Sequence, residues 1–331
     1  MKLIVVIPPI ARPNPVRAFA LLAVLLATPA RAGGEAQALY DRGEYAEAAK
    51  LLAAQVQEHP DDVDARVLLG RAQMGLRKFA DAVDTLEDAV KRAPESAEAQ
   101  YAYGQALGNR VNEVNMFRQP MMAGDIRKAF QRAVELEPRS VKYHEAMFEF
   151  YRQAPALVGG GMDKARAEAE TLAKLDAAAG HRAEGALDAA EGRMPQAETE
   201  YRAAIAAAPK DADAYIELGL LYQKDKRYDD AFKLFDALLK KDPGNPRAEY
   251  QIGKTAALSG KRLGDGEHAL KRYLATPPPP DEPSWAHAHL RLGGVYERMQ
   301  HIADARAEYQ AALALDSSLV DARKALAALP K

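Results

Sequence analysis

Through most of the chain, alanine and larger apolar residues return three and four positions apart, the spacing that lines up one face of an α-helix. The runs stop at Pro60, Pro94, Pro138, Pro209 and Pro243. Pro60 and Pro94 are 34 residues apart, and so are Pro209 and Pro243. Within that period the same residue types hold the same places: Tyr45, Ala48 and Leu52 stand where Phe79, Ala82 and Leu86 recur, and then Tyr228, Ala231 and Phe235. The earlier part of each period carries a glycine behind a bulky apolar residue, in "LLGRAQ" (Leu68 to Gln73), "ELGLLY" (Glu217 to Tyr222), "QIGKTA" (Gln251 to Ala256) and "RLGGVY" (Arg291 to Tyr296). A repeat of this length with helical spacing predicts an all-α chain of helix-turn-helix units. The count is eight units over residues 33–318, with a terminal helix over 319–331 whose "LVDARKALAAL" shields the last apolar face.

Departures from the period are expected at turns. Pro94 to Pro138 is 44 residues, ten more than the repeat. In the fourth unit "FYRQAPALVGGGMDKA" breaks a helical run with Pro155 and three glycines, Gly159 to Gly161, then resumes it. A phosphate cradle needs a strand before such glycines and Lys-Ser or Lys-Thr after them. Here a helix precedes and Met162-Asp163 follows, so the stretch reads as a wide turn between two helices, with an anion nest at the second helix as the lesser alternative. The proline run Pro277 to Pro280 reads as a stiff spacer.

These units resemble the tetratricopeptide repeat family. Its first helix (helix A) carries an aromatic, Leu-Gly and Tyr, and its second (helix B) carries Ala, an aromatic or Leu, Ala and a closing Pro. Val63 to Ser96 and Ala212 to Asn245 match best. The resemblance implies a right-handed solenoid with a concave groove lined by positions two, five, nine and twelve of each helix A. Here those positions include Val67, Arg71 and Met74; Tyr101 and Gln105; Glu145, Glu149 and Arg152; Ile216, Leu220 and Gln223; and Arg247, Tyr250 and Lys254. The family's carboxylate clamp wants Lys at position five and Asn at position nine. Val67 with Arg71, or Ile216 with Leu220, do not match it, and that activity is not carried over. The "FY-x-x-AP…GG-x-x-KA" stretch is similar to an element of secreted proteobacterial proteins of this family.

The first 32 residues follow another pattern. Lys2, Arg12 and Arg17 precede the apolar run "AFALLAVLLA" (Ala18 to Ala27), no acid occurs, and Ala30 and Ala32 stand where a signal peptidase needs small residues. This predicts a secretory signal peptide, residues 1–32, cleaved near Ala32, and a periplasmic or secreted protein. The apolar run is too short to cross a bilayer, and no later segment could span one. Without Lys2, Arg12, Arg17 and Arg31 the chain has 41 basic and 47 acidic residues. That mildly acidic balance argues against a nucleic-acid partner. Cysteine is absent, which removes disulfides, thiolate metal sites and a cysteine nucleophile.

Little catalytic chemistry survives inspection. "GKT" at Gly253 to Thr255 lacks the first P-loop glycine, since Ala248 holds that place. "HEAMF" from His144 puts Phe148 where a zinc protease has its second histidine. His287 and His289 lie on opposite sides of a helix. No cofactor, metal or catalytic residue is therefore expected. Met116, Phe117 and Met121, with Met122, lie in the extra segment of the third unit. They can pack onto the helices, stand out as an apolar hook for a partner or, least of all, ligate copper(I). Arg247, Tyr250 and Lys254 share one helix face, and Arg291 follows on the next helix A. That cluster is either solvated charge or a site for an acidic segment. The reading is a non-catalytic periplasmic adaptor that binds a peptide or helix of a partner, an acidic one included, through Arg247, Tyr250, Lys254, Arg291, Met116, Phe117 and Met121. Its rivals are a passive envelope spacer and, behind that, a cell-wall hydrolase.

Overall fold

The computed structural model describes residues 29–278 and 282–330. The expected leader falls mainly on residues 1–28, outside the described residues, and the proline spacer lies half outside them. Among the described residues the chain is all-helical. Seventeen α-helices pack as successive antiparallel pairs, giving the α-solenoid of helical repeats that the periodicity implies. None of these helices is long and apolar enough to cross a membrane.

The helices divide into two compact units, between Leu175 and Asp176. The first holds α1 (Pro29–Asp41), α2 (Tyr45–Glu58), α3 (Val63–Gly75), α4 (Phe79–Arg92), α5 (Ala97–Arg110), α6 (Gln119–Leu136), α7 (Val141–Gln153) and α8 (Met162–Leu175). The second holds α9 (Ala177–Ala190), α10 (Met194–Ala207), α11 (Ala212–Lys224), α12 (Tyr228–Lys241), α13 (Pro246–Ser259), α14 (Leu263–Leu274), α15 (Trp285–Arg298), α16 (Ile302–Leu315) and α17 (Val320–Ala328). Odd-numbered helices through α15 play the part of helix A and even-numbered ones of helix B. The helix α17 packs on α15 and α16 and buries Ala322.

Each pair closes by small-to-large contact. A Cβ on Gly70 would overlap the Leu86 side chain across the α3–α4 pair, and one on Gly219 would overlap Phe235 across α11–α12. Those glycines let the helix axes approach, while Ala82, Ala89 and Ala231, all fully buried, do the same from the other helix. Many A helices begin with a side-chain cap. Asp62, Ser96, Asp176 and Asn245 accept from the backbone N–H three residues on, at 2.8 to 3.2 Å. Four A helices, α3, α9, α11 and α15, are followed by a left-handed residue, Arg77, Gly192, Lys226 or Gln300, after which a backbone N–H bonds back, as from Arg227 to the Tyr222 carbonyl at 2.8 Å.

The joints between repeats carry a recurrent bond that the period did not announce. At four of the five closing prolines the residue six positions on sends a side-chain donor back to that proline's carbonyl: Arg66 to Pro60 (2.7 Å), Gln100 to Pro94 (3.2 Å) and Tyr215 to Pro209 (3.2 Å), with His144 Nε2 and the Pro138 carbonyl 3.0 Å apart; after Pro243 that residue is Glu249, which pairs with Arg272 at 2.5 Å. Proline can neither continue a helix nor donate, so its carbonyl would otherwise be an orphan near the core.

Candidate functional site

The groove positions implied by the resemblance are mostly interior. Val67, Met74, Tyr101, Gln105, Ile216, Gln223 and Tyr250 are buried, because A helices also pack on one another, α3 on α5, α11 on α13 and α13 on α15. Leu220 of the second unit is exposed; in the first unit Glu149 and Arg152 pair with each other at 2.6 Å. What these faces offer is a small set of polar groups that the packing leaves at its edge.

In the second unit the structure splits the expected four-residue cluster. Arg247, at position two of α13, is bonded to Asp213 of α11, and its Nε lies 2.8 Å from Glu282. Asp213 also takes Arg182 at 2.7 Å. Arg247 thus belongs to a satisfied network. Tyr250 is buried against Tyr273, ring centres 5.3 Å apart, and its hydroxyl accepts from Arg291 of α15. Burial raises that hydroxyl, while Arg291 acts the other way.

Lys254 and Arg291 differ from Arg247. Neither has a carboxylate partner among the described residues, and Arg291 Nε is buried without a hydrogen bond. Burial, and then the Arg291 charge beside it, push the Lys254 ammonium down to about 8. Two adjacent, half-buried cations with donors unspent form an electrostatic receptor for an anion, because a carboxylate there would relieve both desolvation and repulsion.

A contrasting cluster in the first unit escaped the sequence reading. Glu98, at position two of α5, is bonded to Arg71 of α3 and lies 2.6 Å from Lys142 of α7, while Tyr143 donates to it at 2.9 Å. Lys142 sits over the Tyr101 ring, 4.3 Å from its centre. The signal was available: Glu98 and Lys142 hold the same place in successive repeats, as do Asp213 and Arg247, and opposite charges at equal register meet across neighbouring A helices.

The other motifs are absorbed into packing. Thr255 of "GKT" is fully buried and donates to the Gln251 carbonyl at 2.6 Å, and Gly253 abuts Leu270. His144 is bonded to Glu168 and Pro138, which together hold its imidazole above the ordinary range against burial. His289 bonds Glu308 at 2.6 Å, and His287 bonds Ser284 at 3.0 Å. Among the described residues no group of three or more His, Asp or Glu could hold a metal ion.

The glycine stretch is a turn. Ala156–Val158 form a short 3-10 turn, Gly159 and Gly161 have φ of 95° and 129°, and a Cβ on Gly160 would strike the Ala154 carbonyl. The amides of Gly159, Gly160 and Gly161 donate to the carbonyls of Ala156, Pro155 and Tyr151 at 3.0, 3.2 and 2.8 Å. All three glycine amides are thus spent on carbonyls and offer no donor to an anion. The third repeat's extra chain forms the 111–118 tip and an 18-residue α6. Packing it wholly onto the helices, one of the options above, is not what occurs: Met122 packs on the core, but Met116, Phe117 and Met121 are exposed.

Three stretches match family models described as tetratricopeptide repeat: residues 39–106, 182–246 and 286–319. Among solved structures, a thermophilic TPR protein of Thermus thermophilus is similar, with a TM-score of 0.51 at 23% identity over 59% of this chain and 100% of that one. A chain of the APC/C hetero-tetramer Cut9–Hcn1 matches over 88% of this chain and 54% of its own, at 17% identity and a TM-score of 0.49. No curated protein matches. At 23% identity the likeness to the Thermus protein is one of fold.

Proposed function

The chain belongs to the tetratricopeptide repeat family, and on that basis we propose that it is a non-catalytic, exported scaffold whose second unit receives an acidic segment of a partner protein. The observation that carries this reading is the pair Lys254 and Arg291, two neighbouring cations without a carboxylate among the described residues, one of them with a buried unbonded Nε. Arg247 is reassigned to holding α11 and α13 together. Tyr250 positions Arg291 through its hydroxyl. Export rests on the leader pattern of residues 1–32. Mass spectrometry of the exported protein is expected to find a chain that starts beyond Ala32, and an intact Met1 would refute cleavage.

The binding test uses a fluorescently labelled peptide rich in Asp and Glu, titrated with the protein at low and high salt. Affinity should fall steeply with salt, and the double change Lys254→Gln with Arg291→Gln should weaken it at least about tenfold, the factor that 1.4 kcal/mol represents. Equal affinity of parent and variant, with equal salt dependence, would refute this site. Binding of the acidic peptide by neither protein would favour the passive spacer.

A further inference from the structure

Among the described residues, the four most exposed large apolar side chains share one neighbourhood of the first unit. Met116 (71%), Phe117 (86%) and Met121 (68%) stand on the 111–118 tip and the first turn of α6, and Leu157 (93%) on the 3-10 turn. The 3-10 turn packs on α6, where the Arg127 side chain lies against Gly159. Both projections are braced. The Arg118 amide donates to Asn115 Oδ1 at 3.1 Å, Gln119 donates to the Val114 carbonyl at 3.4 Å, and the glycine amides behind Leu157 are all bonded. Three arginines accompany these side chains. Arg110 ends α5, Arg118 adjoins Phe117, and Arg127 bonds only the neutral Gln131. None of the three has a carboxylate partner among the described residues, whereas Arg92, Arg132, Arg202, Arg227 and Arg262 each hold one. Of the acids nearby, Asp125 is engaged by Lys128 at 3.2 Å, and Glu113 lies on the tip itself.

We propose that this neighbourhood docks the protein on an anionic lipid surface. The four apolar side chains come from two separate projections, so a protein partner would need a surface shaped to all of them at once. A bilayer accepts each one independently at the boundary of headgroups and acyl chains. Charge complementarity selects the same occupant, since arginines freed from carboxylates in an otherwise acidic chain are drawn to lipid phosphates. Such contact lies on the surface and needs no spanning segment.

The test places the probe in the patch, so that the apolar run near the N-terminus does not confuse the result. In the full chain, Trp285→Phe removes the single native tryptophan and Phe117→Trp supplies a reporter. Vesicles of phosphatidylcholine with phosphatidylglycerol should shift its emission to the blue at low salt, and phosphatidylcholine alone should do so far less. Adding Leu157→Ser with Met121→Ser should weaken vesicle binding read at that probe at least about tenfold, and Arg118→Gln should reduce only the preference for the anionic lipid. Because Phe117, Arg118, Met121 and Leu157 are exposed, circular dichroism and melting of the patch variants should match those of the chain carrying Trp285→Phe with Phe117→Trp. No emission shift with anionic vesicles overturns the proposal, as does a shift that the serine changes leave unaltered. A loss of self-association in the serine variant, without any lipid effect, would assign the face to a second copy of the chain instead.

Discussion

The two units contain the same electrostatic arrangement in two states of completion. In the first, cations from two A helices, Arg71 and Lys142, converge beside tyrosines on Glu98, which lies on the helix between them. In the second, Lys254 and Arg291 converge beside Tyr250, and no described carboxylate meets them; burial and a neighbouring arginine lower the ammonium in both clusters, Lys142 to about 7 and Lys254 to about 8, so the carboxylate alone separates them. The difference teaches what a repeat interface does with charge. Where the chain supplies its own anion the cations become internal cement, and where it does not they remain a receptor.

Glu98→Gln should have the largest effect, because it converts the filled cluster into an empty one. Two partly buried cations would then face a neutral amide, at a cost of about 2 kcal/mol; full burial would cost more, but Glu98 and Lys142 each keep about a third of their surface. A urea titration should show the lower midpoint, and an unchanged midpoint would break the comparison. A second prediction sharpens it with the opposite sign: Lys254→Gln should raise stability at neutral pH, since it removes a desolvated charge beside another of like sign.

The pH dependence follows from the same charge. The Lys254 ammonium titrates near 8 in the folded chain against an ordinary 10.5, so the unfolded chain holds the proton more tightly. Its penalty is full below about pH 8 and lifts as pH rises toward 10.5. The melting-temperature advantage of Lys254→Gln over the parent should therefore shrink across that window. An advantage that stays constant from about pH 7 to about pH 10 would contradict the assignment. The smallest expected effect is that of Arg247→Gln on binding of the acidic peptide. Arg247 already serves Asp213 and Glu282, so affinity should change less than about twofold and the salt dependence should be retained. A tenfold loss there would return Arg247 to the receptor.

The repeat architecture was open to sequence reasoning because its determinants are local. Gly70 against Leu86, Ala82 against α3 and the closing prolines depend on spacing that can be counted. The site was less legible because its determinants join different helices. Position two of α13 reads as groove-facing, but whether Arg247 is free depends on Asp213, one whole repeat earlier. Val67, Tyr101 and Ile216 also read as groove positions, yet contact between successive A helices buries them. Met116 and Phe117 carry no periodicity, so their composition could not distinguish a packed tip from an exposed one.

The tied prolines have a further consequence, best put in terms of phase. After Pro60, Pro94, Pro138 and Pro209 the next helix A begins three residues later in every case, and each of these joints carries the bond from the residue six positions on. Extra chain enters elsewhere, at the 111–118 tip, at the glycine turn and in the long segment 275–284, where Tyr273 instead donates to the Pro283 carbonyl at 2.5 Å. A tied joint therefore works as a clock escapement. Where it occurs it resets the rotation of the chain, so that material gained at a hairpin tip adds an appendage without altering the beat of the helices that follow.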